Sequence, residues 1–233
     1  MTISIITLFP EIFPSVLDAS ITGRAQKKGL LTIRYINLRE FGIGNHQQVD
    51  DSPYGGGVGL IFKADVLAKA LEKAKSDYKM ENGEGVETVV LTSASGSSFK
   101  QTTAKELAKV DHLIIICGHY EGVDQRFIDM FIDREISIGD FVLTGGEIPA
   151  MAICDSIIRL IPGVLEKEEA TKFESFEDNL LEYPQYTRPA EFEGVKVPDI
   201  LISGHHKQVE EWRKEKALEK TRNIRPDLLK PKE

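Results

Sequence analysis

The sequence predicts an α/β fold with a mainly parallel sheet, and three observations predict it. Short apolar runs rich in Val and Ile recur at residues 86–91, 113–116 and around Ile136, the pattern of strands buried on both faces. Stretches with helical periodicity separate them, and strands alternating with helices build α/β domains. Each run also leads into a loop of glycine and small polar residues: Thr92-Ser-Ala-Ser-Gly96, Cys117-Gly-His-Tyr-Glu-Gly-Val-Asp124, and the segment from Ser137 to the paired glycines Gly145 and Gly146. Loops leaving the carboxyl ends of parallel strands gather on one edge, where open α/β sheets bind ligands.

The elements follow in order. Met1-Thr-Ile-Ser-Ile-Ile-Thr-Leu-Phe9 has neither a basic leader nor a small-residue cleavage site and reads as the first strand. Phe9-Pro10-Glu11 marks a strand-to-helix junction, with proline in the first helical turn. A helix over residues 12–28 and a strand over 31–37 come next. Residues 45–59, with Gly55, Gly56, Gly57 and Gly59, are too glycine-rich for regular structure. Helices are predicted over 63–79, 98–109, 125–131 and 147–160, the last stopped by Pro162-Gly163. Residues 164–182 are polar, acidic and weakly periodic, the mark of a linker or mobile lid. A proline-bounded turn (Tyr183 to Pro189), a short hairpin over 191–197 and a charged helix over 207–221 complete a small, mostly helical second domain. The expected organisation is a first domain at 1–163, a linker at 164–182 and a C-terminal domain at 183–233.

Composition narrows the function classes. At 233 residues, 41% hydrophobic and 28% charged, the chain is of ordinary globular make-up and long enough to bury a core. No apolar stretch approaches the ~20 residues that span a bilayer, so no membrane partner is expected and the cytoplasm is the expected location. The two cysteines, Cys117 and Cys154, sit in apolar settings and support neither a disulfide framework nor a cysteine zinc site. The formal charge of −8 is unevenly spread: seven acids face two lysines between Val164 and Glu182, whereas nine Lys or Arg face six acids from Ser203 onward. An acidic total therefore leaves room for an RNA-binding tail.

The three glycine loops carry no phosphate signature. No Gly-x-x-x-x-Gly-Lys-Ser/Thr follows a strand and no Gly-x-Gly-x-x-Gly opens a helix. A nucleoside-type ligand without a phosphate chain, held by backbone amides and carbonyls, is the natural candidate. His119, Tyr120 and Glu121, with Asp124 nearby, make no hydrolase triad because no serine or cysteine sits on a nucleophile elbow, and their spacing matches no zinc pattern. Their plain role is hydrogen bonding to ligand hydroxyl or amino groups. Asp50-Asp51, beside a turn, reads either as a magnesium site or as a helix-capping or solvated pair. Arg159, among Ile157, Ile158, Leu160 and Ile161, either snorkels or aims its guanidinium into a cleft. Glu174, between Phe173 and the Ser175-Phe176 pair, is an acid among aromatics, a setting that suits a general base.

Six motifs in order, Phe9-Pro-Glu-Ile-Phe13, Pro53-Tyr-Gly-Gly-Gly57, Cys117-Gly-His-Tyr-Glu-Gly122, Ser137-Ile-Gly-Asp-Phe-Val-Leu143 with Gly145-Gly-Glu-Ile-Pro149, Pro184-x-Tyr-Thr-Arg-Pro189, and Leu201-x-Ser-Gly-x-His206, closely resemble the bacterial tRNA (guanine-N1)-methyltransferases, the TrmD family. The resemblance spans essentially the whole chain. It implies a SPOUT-type α/β domain with a C-terminal trefoil knot, a homodimer, S-adenosyl-L-methionine as cofactor with magnesium left open, and guanosine 37 of tRNA as substrate. The implied cofactor residues are Leu91, Thr92, Ser93 and Gly96; Gly118, Tyr120, Glu121 and Gly122; and Ser137, Ile138, Gly139, Asp140, Phe141, Val142, Leu143, Gly145 and Gly146. Glu174 is the implied base for N1, with Asp178 a rival close by, and Arg159 the charge that faces O6. Arg188, His205, Arg213, Lys214, Lys216 and Arg222 are the implied tRNA contacts. The chain departs from the family pattern where Glu174 replaces an aspartate, Ser52 an arginine, Ala94 a proline and His119 an arginine. Two other classes compete: a SPOUT enzyme acting on a ribose 2′-hydroxyl or on ribosomal RNA, and a non-catalytic RNA-binding module.

Overall fold

A computed structural model describes residues 1–166 and 174–230. The chain divides into two compact units, Met1–Glu166 and Lys167–Glu233. In chain order the first carries β1 (Thr2–Thr7), α1 (Pro14–Leu17), α2 (Ser20–Lys27), β2 (Thr32–Asn37), β3 (Asp50–Asp51), β4 (Ile61–Phe62), α3 (Ala64–Asn82), β5 (Glu87–Ser98), α4 (Gln101–Leu107), β6 (His112–Cys117), α5 (Gln125–Phe131), β7 (Arg134–Ser137) and α6 (Glu147–Ile158). Five strands form one sheet in the order β2-β1-β6-β5-β7, and every pairing in it is parallel. The parallel α/β sheet expected from the sequence is present.

Strand periodicity explains the two layers of core. Ile3, Ile5, Leu113, Ile115 and Val90 face one side, where they pack with Phe13, Leu17, Leu107 and the α6 residues Ile153 and Ile157. Ile6, Ile114, Ile116, Val89 and Leu91 face the other, against Val66, Leu67, Ala70 and Leu71 of α3 and Phe127 of α5. Alternate side chains of each strand thus meet helices on both faces, which is why these strands read as unbroken apolar runs. Helix α3 places Val66, Leu67, Ala70, Leu71, Ala74 and Tyr78 on one stripe and ends at Gly83, whose φ of +82° suits a residue without Cβ.

Three elements differ from expectation. The helix foreseen over 12–28 is broken into a 3-10 turn, α1 and α2, because Ala19 takes extended backbone (φ −98°, ψ 166°). The break is held by close packing, since a Cβ on Gly23 would lie 2.0 Å from the Asp18 carbonyl oxygen. Strand β5 does not end at Leu91 but continues to Ser98: both Thr92 and Ser97 oppose Ile136, so residues 93–96 are thrown out of the ladder as a wide bulge. Helix α4 is shorter than foreseen because Phe99 N donates to Ser137 O at 2.8 Å, holding the chain on β7 before the helix starts. The apolar face of α6 is spent inside the first unit, where Ala150, Ile153, Cys154, Ile157 and Ile158 are fully buried.

The second unit contains β8 (Glu191–Phe192) and β9 (Val195–Lys196) as an antiparallel hairpin, then α7 (Asp199–Ile202) and α8 (His206–Ile224). Residues 174–182, within the stretch expected as a linker, form a turn with its own hydrogen bonds. Phe176 N donates to Leu180 O at 2.7 Å and Glu182 N to Ser175 Oγ at 3.0 Å. Leu181 N donates to Thr221 Oγ1 at 2.8 Å, tying this turn to α8, where Thr221 and Ala217 are buried. Residues 167–173 of the expected lid lie outside the described residues.

Candidate active site

The carboxyl ends of β5, β6 and β7 open into a cleft of about 490 Å³, within the range of small-molecule sites. Its walls are the 93–95 bulge, the loop after Cys117 and the loop from Ile138 to Gly146. Thr92, 3% exposed, joins all three: its hydroxyl lies 3.2 Å from both Ile116 O and Gly146 O and accepts from Gly118 N at 3.4 Å. Gly146 N donates to Gly118 O at 2.7 Å, and His119 bridges Gly145 in antiparallel fashion. The second and third loops therefore lie backbone to backbone.

Glycine makes this approach feasible. A Cβ on Gly146 would sit 2.1 Å from Thr92 Oγ1 and 2.6 Å from Gly118 N, and one on Gly118 would sit 2.8 Å from Thr92 O. Main chain can therefore form the wall of the cleft and offer its amides and carbonyls to a flat ligand. The other side of the second loop is held by β4 and the residue before it: Glu121 N donates to Leu60 O at 3.0 Å, Phe62 N to Gly122 O at 3.0 Å and Asp124 N to Phe62 O at 3.2 Å. Asp124 then caps α5 by accepting from Arg126 N, and its paired bonds to the Arg126 guanidinium hold its carboxyl below the usual range.

The polar groups define the ligand's charge. Glu121 and Glu135 line the cleft, with Ser95 Oγ donating to Glu135 Oε1 at 2.7 Å. Among the described residues, no lysine or arginine lines it. Two carboxylates without a cationic counterpart suit a positively charged, phosphate-free ligand. His119 Nδ1 accepts from Tyr120 N at 2.9 Å, so in the neutral ring Nε2 carries the proton. Partial burial, then a hydrogen bond to the Asp50 carboxylate, push the Tyr120 hydroxyl above its ordinary value. That contact also accounts for one member of the Asp50-Asp51 pair; Asp51 accepts from Lys63 Nζ at 3.1 Å and from Ser52 N at 2.9 Å. Among the described residues, no group of three or more His, Cys, Asp or Glu is gathered to hold a metal ion. Burial, reinforced by Glu147, pushes the Cys117 thiol well up, and burial raises Cys154 to about 12, so neither supplies a thiolate.

Of the cofactor residues foreseen, Leu91, Thr92, Ser93, Gly118, Tyr120, Glu121, Gly122, Ser137, Ile138, Gly139, Phe141, Val142, Leu143, Gly145 and Gly146 all line the cleft. Gly96 lies beneath it, where a Cβ would meet Ile136 N at 2.5 Å, and Asp140 is exposed outside the lining. The sequence reading missed Glu135 and Gln125, which line the cleft as well. Glu135 had a signal, a charge directly before the apolar Ile136 in a strand whose carboxyl end feeds the site. Arg159 caps the C-terminus of α6 in the first unit. Glu174 begins the described part of the second unit, half-buried, its carbonyl accepting from Glu177 N at 3.2 Å. Asp178 is exposed and in left-handed backbone (φ 49°, ψ 25°). Arg188, Arg213, Lys214 and Arg222 are exposed and make no ion pair among the described residues, His205 precedes α8, and Lys216 pairs with Glu219 at 2.6 Å.

Comparison with known proteins supplies the family. The description tRNA (Guanine-1)-methyltransferase TrmD matches residues 1–231. The tRNA (guanine-N(1)-)-methyltransferase of Dictyoglomus turgidum is 52% identical over 229 residues, covering 98% of this chain and 90% of that protein. Those of Carboxydothermus hydrogenoformans and Clostridium beijerinckii are 49% and 51% identical over 230 residues, covering 99% of this chain and 88% and 92% of theirs. A match that runs the length of the chain at about half identity, on a sheet whose glycine-backed cleft occupies the motif loops, is decisive: the chain belongs to the tRNA (guanine-N1)-methyltransferase, or TrmD, family.

Proposed function

We propose that this tRNA (guanine-N1)-methyltransferase methylates N1 of guanosine 37, next to the anticodon, with S-adenosyl-L-methionine held in the cleft at the ends of β5, β6 and β7. The observation that carries the cofactor assignment is the lining: glycine-backed main chain, Glu121 and Glu135, and no basic side chain among the described residues. This suits a nucleoside that bears a sulfonium and an ammonium and no phosphate. When bound, the cofactor supplies an electrophilic methyl group.

The chain's own residues supply the rest. Guanine N1 carries a proton at neutral pH, so forming the N1–CH3 bond requires that proton to leave. Glu174 receives it on its carboxylate, and the Arg159 guanidinium balances the negative charge that grows on O6. The lid bearing Glu174 closes over RNA only when substrate arrives, and that closure partly desolvates the carboxylate for its role as base. The C-terminal domain, through Arg188, His205, Arg213, Lys214, Lys216 and Arg222, carries the tRNA. A trefoil knot in the C-terminal half of the first domain, a homodimer as the active unit and a cytoplasmic location belong to the same reading. The exposed rim residues Phe141, Val142 and Ile148 are apolar surface available to a second copy.

The test is methyl transfer from labelled S-adenosylmethionine to tRNA transcripts carrying guanosine or adenosine at position 37, with nucleoside analysis of the product. Label in 1-methylguanosine from the guanosine-37 transcript alone is expected. Label in a ribose 2′-O-methyl group, or none in any transcript, overturns the reading. Sedimentation at assay concentrations checks the dimer, and full activity in a sedimenting monomer removes it.

A further inference from the structure

The second unit has a cleft of its own, of about 390 Å³, between the 183–190 segment and helices α7 and α8. Its charge is the reverse of the first. Arg188 and Arg213 line it, and among the described residues no aspartate or glutamate does, in a chain of formal net charge −8. Neither arginine forms an ion pair among the described residues, although Lys196, Lys216 and Arg225 elsewhere in the unit all find carboxylates. A cleft that gathers two arginines and excludes acids from an acidic chain is built for an anion.

Most of the remaining lining is aromatic or aliphatic, with Gln185 and Thr187 as its uncharged polar members. Tyr183 and Tyr186 contribute rings, and Pro184, Leu201 and Val209 contribute aliphatic surface. The Arg213 guanidinium lies 4.9 Å from the Tyr183 ring centroid, so ring and charge are already arranged together. Helix α8 brings Val209 and Arg213 to the same face, one turn apart. Tyr186 is 48% exposed, with the Trp212 ring 6.4 Å away. A ring with open surface beside an unpaired arginine is the combination that takes a nucleobase and its phosphate.

We propose that this cleft is a single-nucleotide subsite, in which a base of the bound tRNA stacks on Tyr186 while Arg188 and Arg213 hold its phosphate. The assignment rests on the tRNA methyltransferase reading for the origin of the nucleotide, and on the second cleft alone for its chemistry. It assigns to the second unit a contact with an unstacked base in addition to charge attraction for the duplex backbone.

Trp212 is the chain's single tryptophan, which makes its emission a reporter for this cleft. The experiment titrates the full-length chain with a guanosine-37 tRNA transcript while following Trp212 emission, and measures methyl transfer in parallel. Emission is expected to fall to saturation. Tyr186→Ala should raise KM for tRNA about tenfold, the size of one lost base stack, with kcat and S-adenosylmethionine affinity unchanged. Tyr186→Phe should behave as wild type, and Arg188→Gln should lower the slope of log affinity against log salt by about one. Should Tyr186→Ala fail to fold, wild-type emission decides, and unchanged emission at saturating tRNA overturns the subsite. An unchanged KM in folded Tyr186→Ala, with methyl transfer intact in wild type, overturns the subsite and leaves the enzyme reading standing. Quenching that depends on Tyr186 in a protein that methylates no tRNA does the reverse. Emission that shifts with protein concentration in the absence of RNA makes the cleft a self-association surface and removes the proposal.

Discussion

Thr7 Oγ1 donates to Glu147 Oε1 at 2.9 Å, a buried hydrogen bond between residues 140 positions apart. It joins the carboxyl end of β1 to the first turn of α6, where the helix dipole also favours the carboxylate. Thr7 and Glu147 are 1% and 5% exposed, so water cannot substitute for a lost partner. The other carboxylate oxygen, Oε2, lies 2.4 Å from where a Gly145 Cβ would be, so this acid packs directly under the third cleft loop.

Thr7→Val keeps the approximate volume and removes both the donor to Glu147 and the acceptor for Phe9 N at 3.0 Å. It should lower unfolding free energy by about 1.5–3 kcal/mol, the range for a buried hydrogen bond to a charged group. Glu147→Gln retains an acceptor and should cost less. Urea midpoints at unchanged m-value measure both, and a Thr7→Val variant as stable as wild type shows that the bond contributes nothing.

Two glycines of the site should fail in different ways. Gly146 has ordinary helical backbone (φ −82°) but no space, so Gly146→Ala should cost about 1–3 kcal/mol by overpacking and abolish measurable cofactor binding by displacing Thr92 and Gly118. Gly122 has open space around it but a φ of +129°. Gly122→Ala should cost a similar 1–3 kcal/mol as backbone strain, with weakened but detectable binding. Calorimetric titration with S-adenosylmethionine on both variants separates crowding from strain.

His112 is fully buried at the amino ends of the strands, opposite the cleft. Its Nε2 is 2.9 Å from Ser4 Oγ and its Nδ1 is 3.0 Å from Glu87 Oε2, with Tyr78 stacked at 4.3 Å and Lys75 on the other oxygen of Glu87. Burial lowers its pKa, against an opposing pull from Glu87 and with small further lowering by Arg34 and Lys75. The folded pKa is thus below the unfolded value, and the unfolded chain binds the proton first as pH falls. Stability from this group is complete above about pH 6.5 and is lost as pH drops toward the folded pKa. His112→Gln should show a smaller drop in urea midpoint between pH 7.5 and 5.5 than wild type; parallel curves would remove His112 as the cause.

Glu174→Gln should bind S-adenosylmethionine and tRNA nearly as wild type while losing roughly 10²–10⁴-fold in turnover, the usual contribution of a general base. Glu174→Asp keeps the carboxylate one methylene shorter and should retain substantial activity. Asp178→Asn should be mild. Full turnover in Glu174→Gln with collapse in Asp178→Asn transfers the role to Asp178. Single-turnover rates with saturating cofactor make the comparison.

The elements best read from sequence are those whose signals are local. Helix α5 begins and ends where foreseen, since Asp124 caps it and Phe127 supplies its buried face. The three cleft loops were legible because glycine follows each apolar run. What escaped depends on partners distant in sequence. Ser97 and Ser98 carry no strand signal of their own and are extended because Ile136 and Ser137 pair with them. The break between α1 and α2 contains neither proline nor glycine at its turning point, and its cause sits at Gly23, packed on the Asp18 carbonyl. Asp50 reads from sequence as half of a magnesium or capping pair, and its hydrogen bond to Tyr120 exists only once the fold brings the two together. The second cleft was invisible for the same reason: Tyr183 and Arg213 are thirty positions apart in the chain and meet only after α8 docks.

The main-chain wall at Gly118, Gly145 and Gly146 also bears on inhibition. A compound that competes by reading these amides and carbonyls faces a surface that mutation can scarcely alter. Any side chain introduced there must first displace Thr92, His119 or Glu147, which hold the loops together. Escape from such a compound would fall instead to the exposed side chains of the lining, Phe141 and Val142, which are 54% and 87% exposed. Drug resistance and enzyme integrity thus fall on different residues of the same cleft.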